Sequence, residues 1–237
     1  MTTRCARLRG ALVVGVLALA GACGARPALE VVVPPAEVTL GCRPERDAAC
    51  ADEPPRTVRI APFGIDRTEV TVAAYAACVD AGRCAAPTPS CAGTWSSARR
   101  DLPITCVNLD DARRFCAWRG ARVPTEDEWE YAARGADGRT YPWGDEAPSC
   151  ATVALPQCGT VPDLVGTHAV GASPFGALDM AGNVSEWTVT PVAASDPRYV
   201  VVKDYGLDTW HMRASQRLPV RETYREGGLG FRCVRSQ

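Results

Sequence analysis

Histidine is scarce: of 237 residues only His168 and His211 carry an imidazole, and each stands alone. No C-x-x-C pair occurs either. Zinc fingers, ribbons and H-E-x-x-H helices need clustered imidazoles or thiolates, so these absences argue against such centres. The chain also lacks a glycine-rich phosphate loop, a G-x-S-x-G elbow and any internal repeat. Phosphate-cradling loops, the serine-hydrolase elbow and solenoids therefore drop out. An excess of one charge is missing too. The formal net charge is −1 with 22% charged residues, which leaves no basic field for nucleic acid and no acidic tail. The N-terminal apolar run, Ala11 to Ala22, is too short to span a bilayer comfortably.

That run follows Arg4, Arg7 and Arg9 and reads as a secretory signal. It ends in Leu19-Ala20-Gly21-Ala22-Cys23, which resembles a bacterial lipobox with Cys23 as the lipid-bearing first residue of the mature protein. An ordinary signal peptide cut after small residues is the alternative. The division expected from this is a signal peptide at 1–22, a proline-containing tether at 23–37 and a folded domain from Val38 to the end. Attachment to the membrane would then be through a lipid anchor, in a bacterial cell envelope. Gly24 is not the Asp that often marks inner-membrane retention, so the outer membrane is the expected location.

Setting aside Cys5 and Cys23 leaves ten cysteines, an even number that suits a disulfide framework in an exported protein. Each bridge contributes on the order of 2–4 kcal/mol, and spacing does not fix the connectivity. Cys42 and Cys50 are near enough in sequence to close on each other.

Periodicity places a strand at Thr57–Ile60, extended chain from Phe63 to Arg67, and a helix from Val72 to Val79 with Thr71 as N-cap. Pro103–Val107 reads as a brief strand. A second helix is expected from Leu109 to Arg119, capped by Asn108 and stopped by Gly120. Thr125 and Glu128 form a capping-box pattern for a third helix ending at Gly135. Glu126, Asp127, Glu128 and Glu130 could suggest acid–base catalysis, but the first turns of a helix already favour negative charge. Tyr199–Lys203 and Gly230–Arg235 alternate like strands.

Phe175 to Trp187, F-G-A-L-D-M-A-G-N-V-S-E-W, combines turn-tolerant Gly176, Gly182 and Asn183 with apolar anchors on either side. Its carboxylates, Asp179 and Glu186, could meet around one point with the Gly182 and Val184 carbonyls, an oxygen shell of the kind calcium favours. Local capping by Asp179 and Asn183 explains the same residues without a metal.

Five motifs in order, F-G-I-D-R-T-E-V-T (63–71), V-P-T-E-D-E-W-E-Y-A-A-R-G (123–135), Y-P-W-G-D (141–145), D-M-A-G-N-V-S-E-W (179–187) and G-F-R-C-V-R (230–235), resemble the formylglycine-generating enzyme, or sulfatase-modifying factor, family. The resemblance covers roughly residues 38 to 237. It implies a single α+β domain, disulfide-rich, low in regular secondary structure and related to the C-type lectin fold. It further implies structural calcium on Asp179, Gly182, Val184 and Glu186, and a disulfide between Cys116 and Cys233. The family's second calcium site normally uses an Asn after the P-W-G turn, where this chain has Ala151-Thr152-Val153; that site is not carried over.

Active members of the family oxidise a substrate cysteine with oxygen and copper held by two thiolates that follow an R-G-G-S-W motif. The corresponding run here is Lys203-Asp204-Tyr205-Gly206-Leu207, and no cysteine lies between Cys158 and Cys233. Copper is therefore not expected. The histidine-rich iron site of related sulfoxide synthases is not present either. The expected function is a lipoprotein whose domain has lost oxidase chemistry and acts as a binding or scaffold module for a peptide, protein or envelope ligand. The alternative is a family enzyme with a divergent active site, with Asp204, Tyr205, Trp210, His211, Arg213 and Arg217 as the cleft candidates.

Overall fold

The computed structural model describes residues 30–43, 53–88, 91, 93–159, 161–204 and 211–237. Regular structure begins upstream of Val38, inside the stretch expected as a tether. Glu30–Val33 forms β1 and Ala36–Leu40 forms β2. The reason is pairing: β1 runs antiparallel to β4 (Phe63–Asp66), with Val33 opposite Phe63 and Glu30 opposite Asp66. β2 pairs with β3 (Arg56–Ile60) as a separate two-stranded ribbon. The C-terminal strand β9 (Val234–Ser236) lies on the other side of β4, so both ends of the described chain meet on one central strand.

Three helices follow their capping signals. In α1 (Val72–Asp80) the Thr71 side chain accepts from the Ala74 amide. In α2 (Leu109–Trp118) Asn108 and Asp111 cap each other reciprocally, and in α3 (Glu126–Arg134) Thr125 and Glu128 do the same. A capping box satisfies two otherwise orphaned donors at once, which makes these starts legible in sequence. Gly135 closes α3 with φ +66°, a conformation glycine takes without steric cost.

Two expected strands differ in the structure. Pro103–Val107 forms no strand and contributes one bridge, between Thr71 and Pro103; proline offers no ladder donor. Gly230–Arg235 is broken into β8 (Leu229–Gly230) and β9, separated by Phe231-Arg232-Cys233. The break lets the chain cross from the sheet β7-β6-β5-β8 to the sheet β1-β4-β9. In the four-stranded sheet, β5 (Ser185–Ala193) pairs antiparallel with β6 (Asp196–Lys203) and parallel with β8, and β7 (Leu218–Arg221) forms the other edge. β5 continues through Pro191 at the cost of register shifts around it.

One core packs Tyr75 and Phe115 of the first two helices against Phe231 and Trp187; a second packs Trp129 of α3 against Phe63, Ile65 and Met180. Four disulfides link described residues: Cys78–Cys84, Cys91–Cys106, Cys116–Cys233 and Cys150–Cys158. Cys42 is also disulfide-bonded, while Cys50, like Cys23, lies outside the described residues. No helix among the described residues is long and apolar enough to cross a membrane.

Candidate functional site

The 175–187 loop owes its course to left-handed backbone at Gly176, Asp179, Gly182 and Asn183. Gly182 has no room for a side chain: an added Cβ would stand 2.0 Å from Val153 Cγ2 and 2.7 Å from the Ala154 carbonyl oxygen. Asn183 ties the loop to its neighbours, donating from Nδ2 to Glu69 Oε1 at 2.9 Å and accepting the Asp163 amide at Oδ1 at 2.8 Å. Asp179 Oδ2 accepts the Gly166 amide at 2.5 Å.

Arg232 is the hub beneath this loop. The break between β8 and β9 lets its guanidinium, with no exposed surface, reach Glu186, which is equally buried. Arg232 Nε donates to both Glu186 oxygens at 3.0 and 2.8 Å, and Nη2 donates to Oε1 at 2.6 Å. Trp129 Nε1 adds a bond to Glu186 Oε2 at 2.8 Å. The remaining Arg232 donors hold the Leu178 and Asp179 carbonyls at 3.0 and 3.1 Å, and the Asp66 carbonyl at 3.2 Å. Burial works against the charge on Arg232, but Glu186 beside it more than compensates and holds the guanidinium protonated.

This pairing bears on the expected calcium set of Asp179, Gly182, Val184 and Glu186. Both Glu186 oxygens face a cation supplied by the chain itself, so Glu186 does not fit as an open metal ligand. The unpartnered oxygens lie elsewhere. Glu69 Oε2 and both carboxylate oxygens of Asp204 are buried without a hydrogen-bond partner. Burial pushes both acids well above the ordinary carboxylate range; Asp179 adds repulsion at Glu69, and Glu186 and Asp179 add it at Asp204. Among the described residues, no three carboxylate, thiol or imidazole side chains converge on one metal position.

Tyr205 and Trp210 lie outside the described residues. Asp204 is buried, His211 and Arg213 are half-buried, and Arg217 belongs to a charge network. Its Nε sits 2.7 Å from Glu126 Oε1, and its amide donates to Glu53 Oε1 at 2.8 Å. Lys203, fully buried, lies 3.8 Å from Glu130 Oε2 and over the Trp129 ring at 5.6 Å. Glu130 Oε1 in turn accepts from the Gly41 amide at 2.7 Å and from Arg134 at 3.1 Å. The acids at the start of α3 therefore do more than suit a helix dipole. They anchor the end of β6 and the segment before β7 against α3, a role hidden in sequence because the partners are far apart along the chain.

The chemistry available at the site is limited by its sulfur. Every cysteine among the described residues is in a disulfide, so none of them offers a thiolate. A cavity of about 330 Å³ lies between α1 and the 95–100 loop, lined by Val72, Ala76, Asp80, Trp95 and Arg100 among others. That volume is at the lower end of small-ligand pockets. Of the cleft candidates, the described Asp204, His211, Arg213 and Arg217 do not line it.

Comparison with known proteins agrees with this architecture. The bovine (Bos taurus) inactive C-alpha-formylglycine-generating enzyme 2 is 36% identical over 165 residues, covering 62% of this chain and 54% of the bovine protein. A formylglycine-generating enzyme of Mycobacterium tuberculosis is 46% identical over 103 residues, covering 39% of this chain and 34% of that protein. The chain thus spans about half the length, or less, of these relatives. The solved structure of PvdO from Pseudomonas aeruginosa superposes with a TM-score of 0.73 at 25% identity, covering 90% of this chain and all of that one. Residues 19–237 match the sulfatase-modifying factor enzyme 1-like domain, and the chain belongs to that family.

Proposed function

We propose that this domain is a binding or scaffold module that has lost copper-dependent cysteine oxidation, carried by a lipoprotein anchored through Cys23 in a bacterial envelope. The observation that carries this reading is the missing sulfur: no cysteine occurs from 159 to 232, where the resemblance puts the copper thiolates. Soft thiolate ligands select Cu(I), and the Lys, Asp, Tyr, Thr and Ala residues of the 203–214 region do not replace them. Likeness to a relative named as inactive points the same way. The domain also retains a rigid, disulfide-tied frame and an open cavity beside Trp95, which suits recognition of a small group or side chain.

A second reading, a family enzyme with a divergent active site, draws on the likeness to a relative named as a formylglycine-generating enzyme. Aerobic incubation of the purified protein with copper and sulfatase-motif cysteine peptides, followed by mass spectrometry, separates the two. The binding-module reading expects the peptide cysteine unchanged. Formylglycine in the peptide would refute it. Loss of that product on substituting His211 and Arg213 would then assign the activity to the cleft.

A further inference from the structure

Of the disulfides that join described residues, one sits differently from the rest. Cys78, Cys106, Cys116 and Cys233 are each no more than 2% exposed, so their three bridges all have at least one buried cysteine. Cys150 is exposed and Cys158 half-buried, which leaves the Cys150–Cys158 bridge without a buried end. A disulfide opens when a thiolate reaches one of its sulfurs, so access decides which bridge reacts first, and exposed bridges are the labile, regulatory or catalytic ones.

A cavity of about 150 Å³ lies against this bridge, lined by Cys150, Leu155, Cys158, Asp163 and His168 among others. His168 Nε2 is buried, makes no hydrogen bond and lies 3.5 Å from Asp163 Oδ2. An imidazole beside sulfur is suited to moving a proton on or off it. The loop that the bridge closes does not depend on it for its place. Val153 and Leu155 are buried with Tyr141, Ala181 and Met212 in one cluster, and Cys158 packs against it. The Val153 amide donates to the Ser149 carbonyl at 3.1 Å, and the Asn183 amide to the Ala154 carbonyl at 3.3 Å. Opening a bridge between residues 8 apart therefore leaves the segment seated, whereas Cys116–Cys233 ties together residues 117 apart.

We propose that Cys150–Cys158 is a thiol–disulfide exchange site for a dithiol reductant, opened on the folded protein. The donor's thiolate bonds to Cys150 Sγ, the more exposed sulfur, and the S–S bond breaks with its electron pair leaving on Cys158 Sγ. His168, protonated, gives that thiolate a proton and regains one from water. The donor's second thiolate then attacks the donor sulfur of the mixed disulfide and expels Cys150 as a thiolate, which water protonates. The donor departs as a disulfide, and two electrons and two protons have passed to the cysteine pair. Met212 shares its cluster with Leu155 and Cys158, so the state of the bridge reaches the 211–217 segment. The inference is independent of whether the domain binds a partner or turns over a substrate.

The test treats the purified, oxidised full chain with dithiothreitol in native buffer, with reduced thioredoxin at the same dithiol concentration as a second arm. Cysteines are alkylated at timed intervals and located by peptide mass spectrometry, while near-UV circular dichroism follows the fold. Cys150 and Cys158 should be alkylated at least about tenfold faster than any cysteine of the other three bridges, with the near-UV signal unchanged. Opening in both arms would extend the site to protein dithiols, and opening by dithiothreitol alone would assign it to small ones. His168→Gln should slow this opening at least about threefold and leave the other bridges as they were; an unchanged rate would remove the imidazole from the exchange. The double variant Cys150→Ala with Cys158→Ala should fold with the wild-type near-UV signal. Equal rates at all four bridges, alkylation only in step with loss of the near-UV signal, or a double variant that does not fold would each overturn the proposal in favour of a purely structural bridge.

Discussion

Arg232 does at residue scale what a metal or a water cluster does elsewhere: it satisfies a buried carboxylate and four loop or strand carbonyls from one side chain. A planar, always-charged fork is suited to this and lysine is not. Replacing it leaves Glu186 charged and unexposed, with the Trp129 indole as its one remaining side-chain hydrogen bond among the described residues. Arg232→Met is therefore expected to cost on the order of 3–5 kcal/mol, read as a lower urea midpoint with an unchanged m-value. A loss below about 1 kcal/mol would mean the pair contributes little here. Arg232 stands inside the G-F-R-C motif, but neither its role nor its partner is legible in sequence. Glu186 sits 46 residues upstream, and the two meet only because β8 runs parallel to β5 and the chain then breaks before β9.

The three helices were the most legible elements, because capping is a local device. Thr71, Asn108 and Thr125 each sit immediately before the helix they start. Strands were less legible, since a strand exists only with a partner. Glu30–Val33 reads as tether in sequence because it is proline-flanked and shows little periodicity, yet β4 pairs with all four residues. Within α3, Glu128 is both half of the capping box and the partner of Arg122, whose Nη1 donates at 2.7 Å. Burial works to raise its pKa, but the Arg122 fork and the Thr125 amide outweigh it and hold the carboxyl below its ordinary value of 4.5. A depressed folded-state pKa contributes stability that is fully present above the unfolded value and is lost as pH falls through the folded one. Glu128→Gln keeps the reciprocal cap and removes the ion pair. It is expected to be less stable than the wild type at pH 7, with the difference shrinking as pH falls below about 4.5. A pH-independent difference in equilibrium unfolding would contradict this.

For the whole molecule, the family frame is built from long-range ties. Cys116–Cys233 spans 117 residues and joins α2 to the segment before β9, and a loop of that length corresponds to roughly 5 kcal/mol in the chain-entropy account. The frame was legible because five motifs occur in order, each carrying a turn, cap or buried pair the fold needs. The site was less legible for a physical reason. Lys203 and Arg217, on either side of the candidate cleft residues, contact the α3 acids, and the first of these contacts joins Glu126 to a residue more than 70 positions later in the chain. Cavity and charge network occur in a fold whose described cysteines are spent on disulfides. The most direct test of the account is an anaerobic competition titration of the disulfide-intact protein, in deoxygenated buffer free of thiol reductants, with Cu(I). The account predicts no tight stoichiometric binding and no thiolate-to-copper absorption. One equivalent of Cu(I) held tightly by protein thiolates would contradict it.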